Sequence, residues 1–250
     1  MKFIAIIPAR YASTRFPGKP LAMLGGKPII QRVCEQARTV FDRVIVATDD
    51  ARIADCVAGF GGEAVMTRPD HRSGTDRCFE AYEKAGRPCD VVVNVQGDEP
   101  FIAPQQLEAV CRCFDDPATD IATLVMPFAP TASWDEIANP NSPKVVVGQR
   151  GRALYFSRSV VPYVRGTEPT EWPRRHTFFK HIGLYAYRSE VLRRLTALPP
   201  SPLEMAESLE QLRWLEAGYT ITTAVTHTAT IGIDTPADLE RATQFLAKHP

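Results

Sequence analysis

Three cations, Arg10, Arg15 and Lys19, stand among small residues and a glycine in the stretch Pro8-Ala9-Arg10-Tyr11-Ala12-Ser13-Thr14-Arg15-Phe16-Pro17-Gly18-Lys19-Pro20. Residues of these types suit a polyphosphate. Arg forks grip oxygens in pairs, Lys adds a point charge, and a loop of small side chains lets backbone N–H groups close on phosphate. From Met1 to Arg43 the chain carries eight Lys and Arg against two acidic residues, whereas its 250 residues as a whole balance 29 against 29. The positive charge is local, which argues against a general affinity for nucleic acid or an anionic membrane.

A second chemical stretch is Val93-Asn94-Val95-Gln96-Gly97-Asp98-Glu99-Pro100. It ends an apolar run in a carboxylate, and a hard divalent cation is held by one or two carboxylates together with substrate oxygens. Asp98 is the candidate metal ligand. A third, Gly232-Ile233-Asp234-Thr235-Pro236, closes one element and opens another. On its own it makes Asp234 or Thr235 a helix cap. Neither G-x-x-x-x-G-K-[ST] nor a G-x-G-x-x-G after the first strand is present, so a P-loop NTPase and a dinucleotide-binding oxidoreductase lack support.

The elements that must position these residues alternate. Phe3–Ile7, Arg43–Ala47, Glu63–Met66 and Val91–Val95 have strand character, and the intervening segments 28–40, 51–60 and 74–85 have apolar residues at helix spacing. The fold class is α/β, a doubly wound, mostly parallel sheet. Asp50 and Ser73 are the expected caps of the second and third helices. Right-handed crossovers gather the strand C-termini at one edge, where a nucleotide would bind.

Beyond a helix over 103–114 the pattern changes. Strands are expected at 121–128, 144–147, 152–156, 178–187 and 219–225, with Gly148–Gly151 turning a hairpin, so antiparallel structure joins the sheet. Residues 158–177 form a Pro- and Arg-rich excursion, equally a lid, a dimer contact or an ordinary surface loop. Along 178–187 the residues His181, Gly183, Tyr185 and Tyr187 alternate onto one face. That face suits a hydroxylated sugar, or equally a half-buried sheet surface. Helices are expected at 190–196, within 202–216 and over Pro236–His249, with 231–233 extended. The six cysteines show no C-x-x-C pair or zinc spacing and are expected to be reduced and mostly buried. The five-residue apolar start is too short for a signal peptide, and no segment has the roughly 20 apolar residues of a membrane helix, so a cytoplasmic protein is expected.

The segments P-A-R-Y-A-S-T-R, P-G-K-P-L, V-A-T-D-D, D-H-x-S-G-T-D-R, V-N-V-Q-G-D-E-P, A-L-Y-F-S-R, S-P-L-E and S-L-E-Q-L-R span nearly the whole chain. Together they resemble the sugar nucleotidyltransferases that activate acidic sugars with CTP, most closely the 3-deoxy-manno-octulosonate (KDO) cytidylyltransferases. Departures from the family pattern are Phe16, where Leu is common, and the composition of 159–177.

The resemblance implies a nucleotidyltransferase-type sheet with an antiparallel extension, in one domain. Its first half, 1–118, would mainly bind CTP, and 119–250 would mainly bind sugar and dimerise. It implies formation of CMP-KDO and pyrophosphate for lipopolysaccharide synthesis by a homodimer using Mg²⁺ held by Asp98 and Asp234. Arg10, Arg15 and Lys19 would bind the triphosphate. Pro8, Ala9, Arg72, Ser73 and Gly74 would approach the nucleoside, with Gln96 at the meeting of the two substrates. The acid sugar would meet Gln96, Asn141, His181, Tyr185, Glu210 and Gln211, with Arg77 or Arg158 near its carboxylate. Sialic acid and 8-amino-KDO are the alternative sugars. A non-catalytic nucleotide binder is disfavoured by the two intact aspartates, and a guanylyl or uridylyl enzyme by Pro8-Ala9-Arg10 in place of a diglycine.

Overall fold

The computed structural model describes residues 1–86 and 88–248. In β1 (Phe3–Ala9) the residues Ile4 to Ile7 are buried, as a parallel strand covered on both faces requires. The strand runs two residues past its expected end, with Pro8 opposite Ala47 and Ala9 opposite Thr48. Pairing with the strand on its other side stops at Ile6, so the missing N–H of Pro8 breaks no ladder there.

A short ribbon, β2 (Met23–Leu24) and β3 (Lys27–Pro28), leads into α1 (Ile29–Arg38). There follow β4 (Val44–Thr48), α2 (Ala51–Gly59), β5 (Glu63–Met66), α3 (Gly74–Lys84), β6 (Val91–Asn94) and α4 (Pro104–Arg112). Asp50 caps α2 by accepting from the N–H of Arg52, and Ser73 caps α3 by accepting from that of Asp76, both as expected. Strands β6, β1, β4 and β5 lie in that order and are parallel. The winding therefore reverses between β1 and β6, the kind of switch point at which open α/β sheets bind ligands.

The later elements are β7 (Ile121–Pro127), α5 (Trp134–Ala138), β8 (Lys144–Val147), β9 (Ala153–Ser157), α6 (Trp172–Arg175), β10 (Phe179–Arg188), α7 (Ser189–Thr196), α8 (Pro202–Glu207), α9 (Glu210–Glu216), β11 (Ile221–Val225) and α10 (Pro236–Lys248). The expected end of the last helix, His249, lies outside the described residues. Two compact units result. One comprises 1–108, 186–196 and 229 onward, and the other 109–185 and 197–228. The chain thus returns twice to its first unit instead of dividing near 118. In the second unit β11 runs parallel to β7, while β8 is antiparallel to β9 and to the start of β10. The fold is mixed α/β with a mostly parallel sheet and an antiparallel part.

Some local expectations change. The excursion over 158–177 contains α6, whose Trp172 is buried with Phe128, Ile137 and Phe178, so part of it is core. The segment 202–216 is two helices, because Ser208 adopts φ 51 and ends the first. Residues 231–233 form no strand; the N–H of Ile233 donates instead to the carbonyl of Asp98. None of the six cysteines is in a disulfide; three are buried and three half-buried. No helix among the described residues is long and apolar enough to cross a membrane.

Candidate active site

The loop after β1 folds on Tyr11. Its carbonyl accepts from the N–H groups of Ser13 and Gly18, each at 2.9 Å, and its ring lies under the guanidinium of Arg52, 3.4 Å away. Gly18 turns the chain with φ 71, and a Cβ there would stand 3.2 Å from the Tyr11 ring. Glycine is the residue that adopts this conformation without strain.

This loop, the segment after β6 and the start of α3 enclose a cavity of about 460 Å³ in the first unit. It is lined by Pro8, Ala9, Arg10, Arg15, Lys19, Arg72, Ser73, Gly74, Gln96 and Asp98, every residue expected to meet the nucleotide. Ala12, Ser13, Thr14, Pro20 and Gly97 line it too; they belong to the two stretches already read as chemical, but had no individual role there. Gly97 is fixed by crowding, since a Cβ would lie 2.8 Å from the Pro8 carbonyl oxygen. Gln96 donates through Nε2 to Asn94 Oδ1 at 3.2 Å.

Two carboxylates converge at one end. Lys19 Nζ lies 2.8 Å from Asp98 Oδ2 and 3.2 Å from Asp234 Oδ1, and Arg15 also reaches Asp234 Oδ1 at 3.0 Å. The ammonium shows that both oxygens can face one cationic centre, and two hard oxygen donors fit a Mg²⁺ that takes its other ligands from water and phosphate. Among the described residues no cluster of three or more His, Cys, Asp or Glu side chains forms a metal cage. Thr235 caps α10, its hydroxyl accepting from the N–H of Asp238, whose Oδ2 accepts from the backbone N–H groups of Asp234 and Thr235 and the Thr235 hydroxyl. Asp234 is left free to face Lys19. Next to Asp98, burial and then the Asp98 charge push the Glu99 carboxyl up to about 7.

Arg10 donates to the carbonyls of His71 and Ser73. Burial, and next the like charge of Arg77, lower its pKa. Arg77 itself is fully buried, its guanidinium paired with Asp49 Oδ2 at 3.1 Å and Thr67 Oγ1 at 2.6 Å. It braces the first unit and does not face an open pocket, which removes it as a partner for a sugar carboxylate.

The remaining expected sugar residues lie in the second unit. His181 Nε2 is 2.9 Å from Thr123 Oγ1, and its ring packs against Phe156 and Tyr185, with Trp214 against Tyr185 beyond. Desolvation lowers His181 to about 4, so its imidazole is neutral near pH 7. Glu210 pairs with Arg213 at 2.8 Å, while the buried Gln211 has an Nε2 with no hydrogen-bond partner. Asn141 is exposed. Arg158 spends its guanidinium on the carbonyls of Pro140, Glu207 and Ser208. Tyr187, expected on the same strand face as His181, is fully buried in the first unit, 3.4 Å from the Thr75 hydroxyl.

Residues 4–221 match the family model described as Cytidylyltransferase. The chain belongs to the cytidylyltransferase family. It is 64% identical over 246 residues to the 3-deoxy-manno-octulosonate cytidylyltransferase of Phocaeicola vulgatus, covering 98% of both chains. To that of Parabacteroides distasonis it is 62% identical over 248 residues, covering 99% of both. It also resembles the solved structure of CMP:2-keto-3-deoxy-manno-octonic acid synthetase complexed with CTP, with a TM-score of 0.92, 46% identity and complete coverage of both chains.

In this cytidylyltransferase the residues that line the cavity come from three separate segments that meet at one switch point. The one cue to Gly97 was its place between an amide and a carboxylate, which says nothing of the carbonyl it must pass.

Proposed function

We propose that the protein transfers the cytidylyl group of CTP to KDO, giving CMP-KDO and pyrophosphate. The observation that carries this reading is the single cavity in which the cationic loop, the α3 N-terminus and Asp98 meet, with Asp234 reaching Lys19 at its edge. The extensive identity to named KDO enzymes and the likeness to a CTP-bound synthetase support it.

In the reaction the anomeric C2 hydroxyl oxygen of the sugar bonds to the α-phosphorus, the bond from that phosphorus to the bridging β-oxygen breaks, and the hydroxyl loses its proton. Arg10, Arg15 and Lys19 would hold the β- and γ-phosphates and neutralise the pyrophosphate as it leaves. The N-terminus of α3 adds oriented N–H groups at Arg72–Gly74. Catalysis would then be positioning and electrostatics without a covalent enzyme intermediate. Asp98 and Asp234 would hold Mg²⁺, which when bound supplies positive charge at the α-phosphoryl oxygens and eases ionisation of the attacking hydroxyl. Neutral His181, held by Phe156 edge-on and Tyr185 tilted against its ring, and Gln211 with its unpaired Nε2 would offer hydrogen bonds to the sugar. A homodimer and a cytoplasmic setting belong to the same proposal; exposed Leu154, Tyr163 and Met205 of the second unit are candidate dimer contacts.

The test is pyrophosphate release from CTP with Mg²⁺, with KDO, 8-amino-KDO or sialic acid supplied in parallel and EDTA as a control. EDTA-sensitive release with KDO is expected. Release only with another acid sugar would reassign the substrate, and release with none would overturn the proposal.

A further inference from the structure

The backbone that receives Arg10 borders two cavities. Within the segment Arg68–Ser73, Arg72 and Ser73 line the 460 Å³ cavity, while Arg68, Asp70, His71 and Arg72 line a second cavity of about 650 Å³. A loop bordered by two cavities has less packing to fix it, so polar ties carry more of its position. One side chain ties the segment at two places. Glu80, on α3, accepts from the N–H of Arg68 at 3.1 Å, pairs with Lys84 Nζ at 2.7 Å, and contacts His71 Nε2. The His71 carbonyl in turn accepts from Arg10.

We propose that Glu80 and His71 are positioning residues for the nucleotide: by pinning Arg68–Ser73 they aim the Arg10 guanidinium across the cavity. Glu80 touches no substrate and acts through His71 and the loop. Burial alone would raise its pKa, but the hydrogen bonds from Lys84, from the Arg68 backbone and from His71 outweigh that and bring it to about 2. The tie therefore stays ionised across the range in which the enzyme works. His71 is buried, so its ring cannot swing into solvent without opening the loop. The inference rests on the reading that this cavity takes CTP.

The test is a double-mutant cycle on steady-state kinetics with CTP and KDO, using Arg10→Ala, Glu80→Ala and the pair. Glu80→Ala is expected to raise KM for CTP about tenfold, with kcat within about threefold and KM for KDO unchanged. In the Arg10→Ala background the same substitution is expected to change KM for CTP by less than about twofold, because the group it aims is gone. Glu80→Gln, which keeps an acceptor for the Arg68 N–H, should recover part of the loss, and His71→Gln repeats the experiment if Glu80→Ala does not fold. An equal effect in both backgrounds, or no effect in the native one, would overturn the proposal. Were Arg10→Ala alone to leave KM for CTP unchanged, the assignment of the cavity to CTP would fall first, and this inference with it.

Discussion

Lys19 bridges Asp98 and Asp234, the two carboxylates proposed to hold a divalent cation. Removing either carboxylate would therefore do more than weaken the proposed metal site, since it also takes away one of the two partners of the ammonium. Asp98→Asn and Asp234→Asn are each expected to lower kcat at saturating Mg²⁺ by about a hundredfold or more, the scale of a lost electrostatic contact to the transition state, with little change in melting temperature. Single-turnover kinetics would check it. A second prediction concerns His181. Its folded pKa of about 4 lies below the ordinary 6.5, so between those values the unfolded chain binds a proton that the folded one does not. Stability is fully present above pH 6.5 and falls as pH drops towards 4, and a His181→Gln variant should flatten that part of a Tm-against-pH curve. At this scale residue types with local meaning were legible: the three cations, Asp98, and the caps Asp50 and Ser73. Arg77 was not, because its counter-charge, Asp49, is 28 residues away, and no local pattern reveals that a basic side chain has been drawn inside.

The same contrast governs the elements. The four parallel strands of the first unit declared themselves through short apolar runs, and the helices between them through spacing, because both periodicities are local. Misplaced boundaries had tertiary causes. β1 continues through Pro8 because its second neighbour has already ended, and α6 exists because Trp172 is pulled into a cluster with Phe128, Ile137 and Phe178. The β1–loop–β6 junction depends on Gly97. A Gly97→Ala chain must move either that loop or the Pro8 backbone, and it is expected to lose about 1–3 kcal/mol and most of its CTP affinity, readable together by denaturant titration and calorimetry. Ser73→Ala removes the cap of the helix that opens on the cavity and should cost about 1 kcal/mol. If its unfolding midpoint matched the native one, the cap would contribute nothing.

At the scale of the molecule, the division into two interleaved units was the least legible part of the sequence, because it depends on which segments come back and not on any local composition. Large exposed apolar side chains of the second unit, Leu154, Tyr163 and Met205, lead us to expect a species of two chains by light scattering, and replacing Tyr163 and Leu154 with charged residues should shift it towards one. The return of the chain has another consequence, for the time at which the enzyme becomes competent. Asp234 is joined to Lys19 only after 215 further residues, which at a synthesis rate of 5–20 residues per second is a delay of roughly 10 to 40 s. Throughout it the growing chain already carries its cationic loop but lacks the second carboxylate. If Asp234 is the second metal carboxylate, as proposed, a product cut short before it by a premature stop would carry the cationic loop without the completed pair, and turnover could begin only once this last stretch has been made and folded.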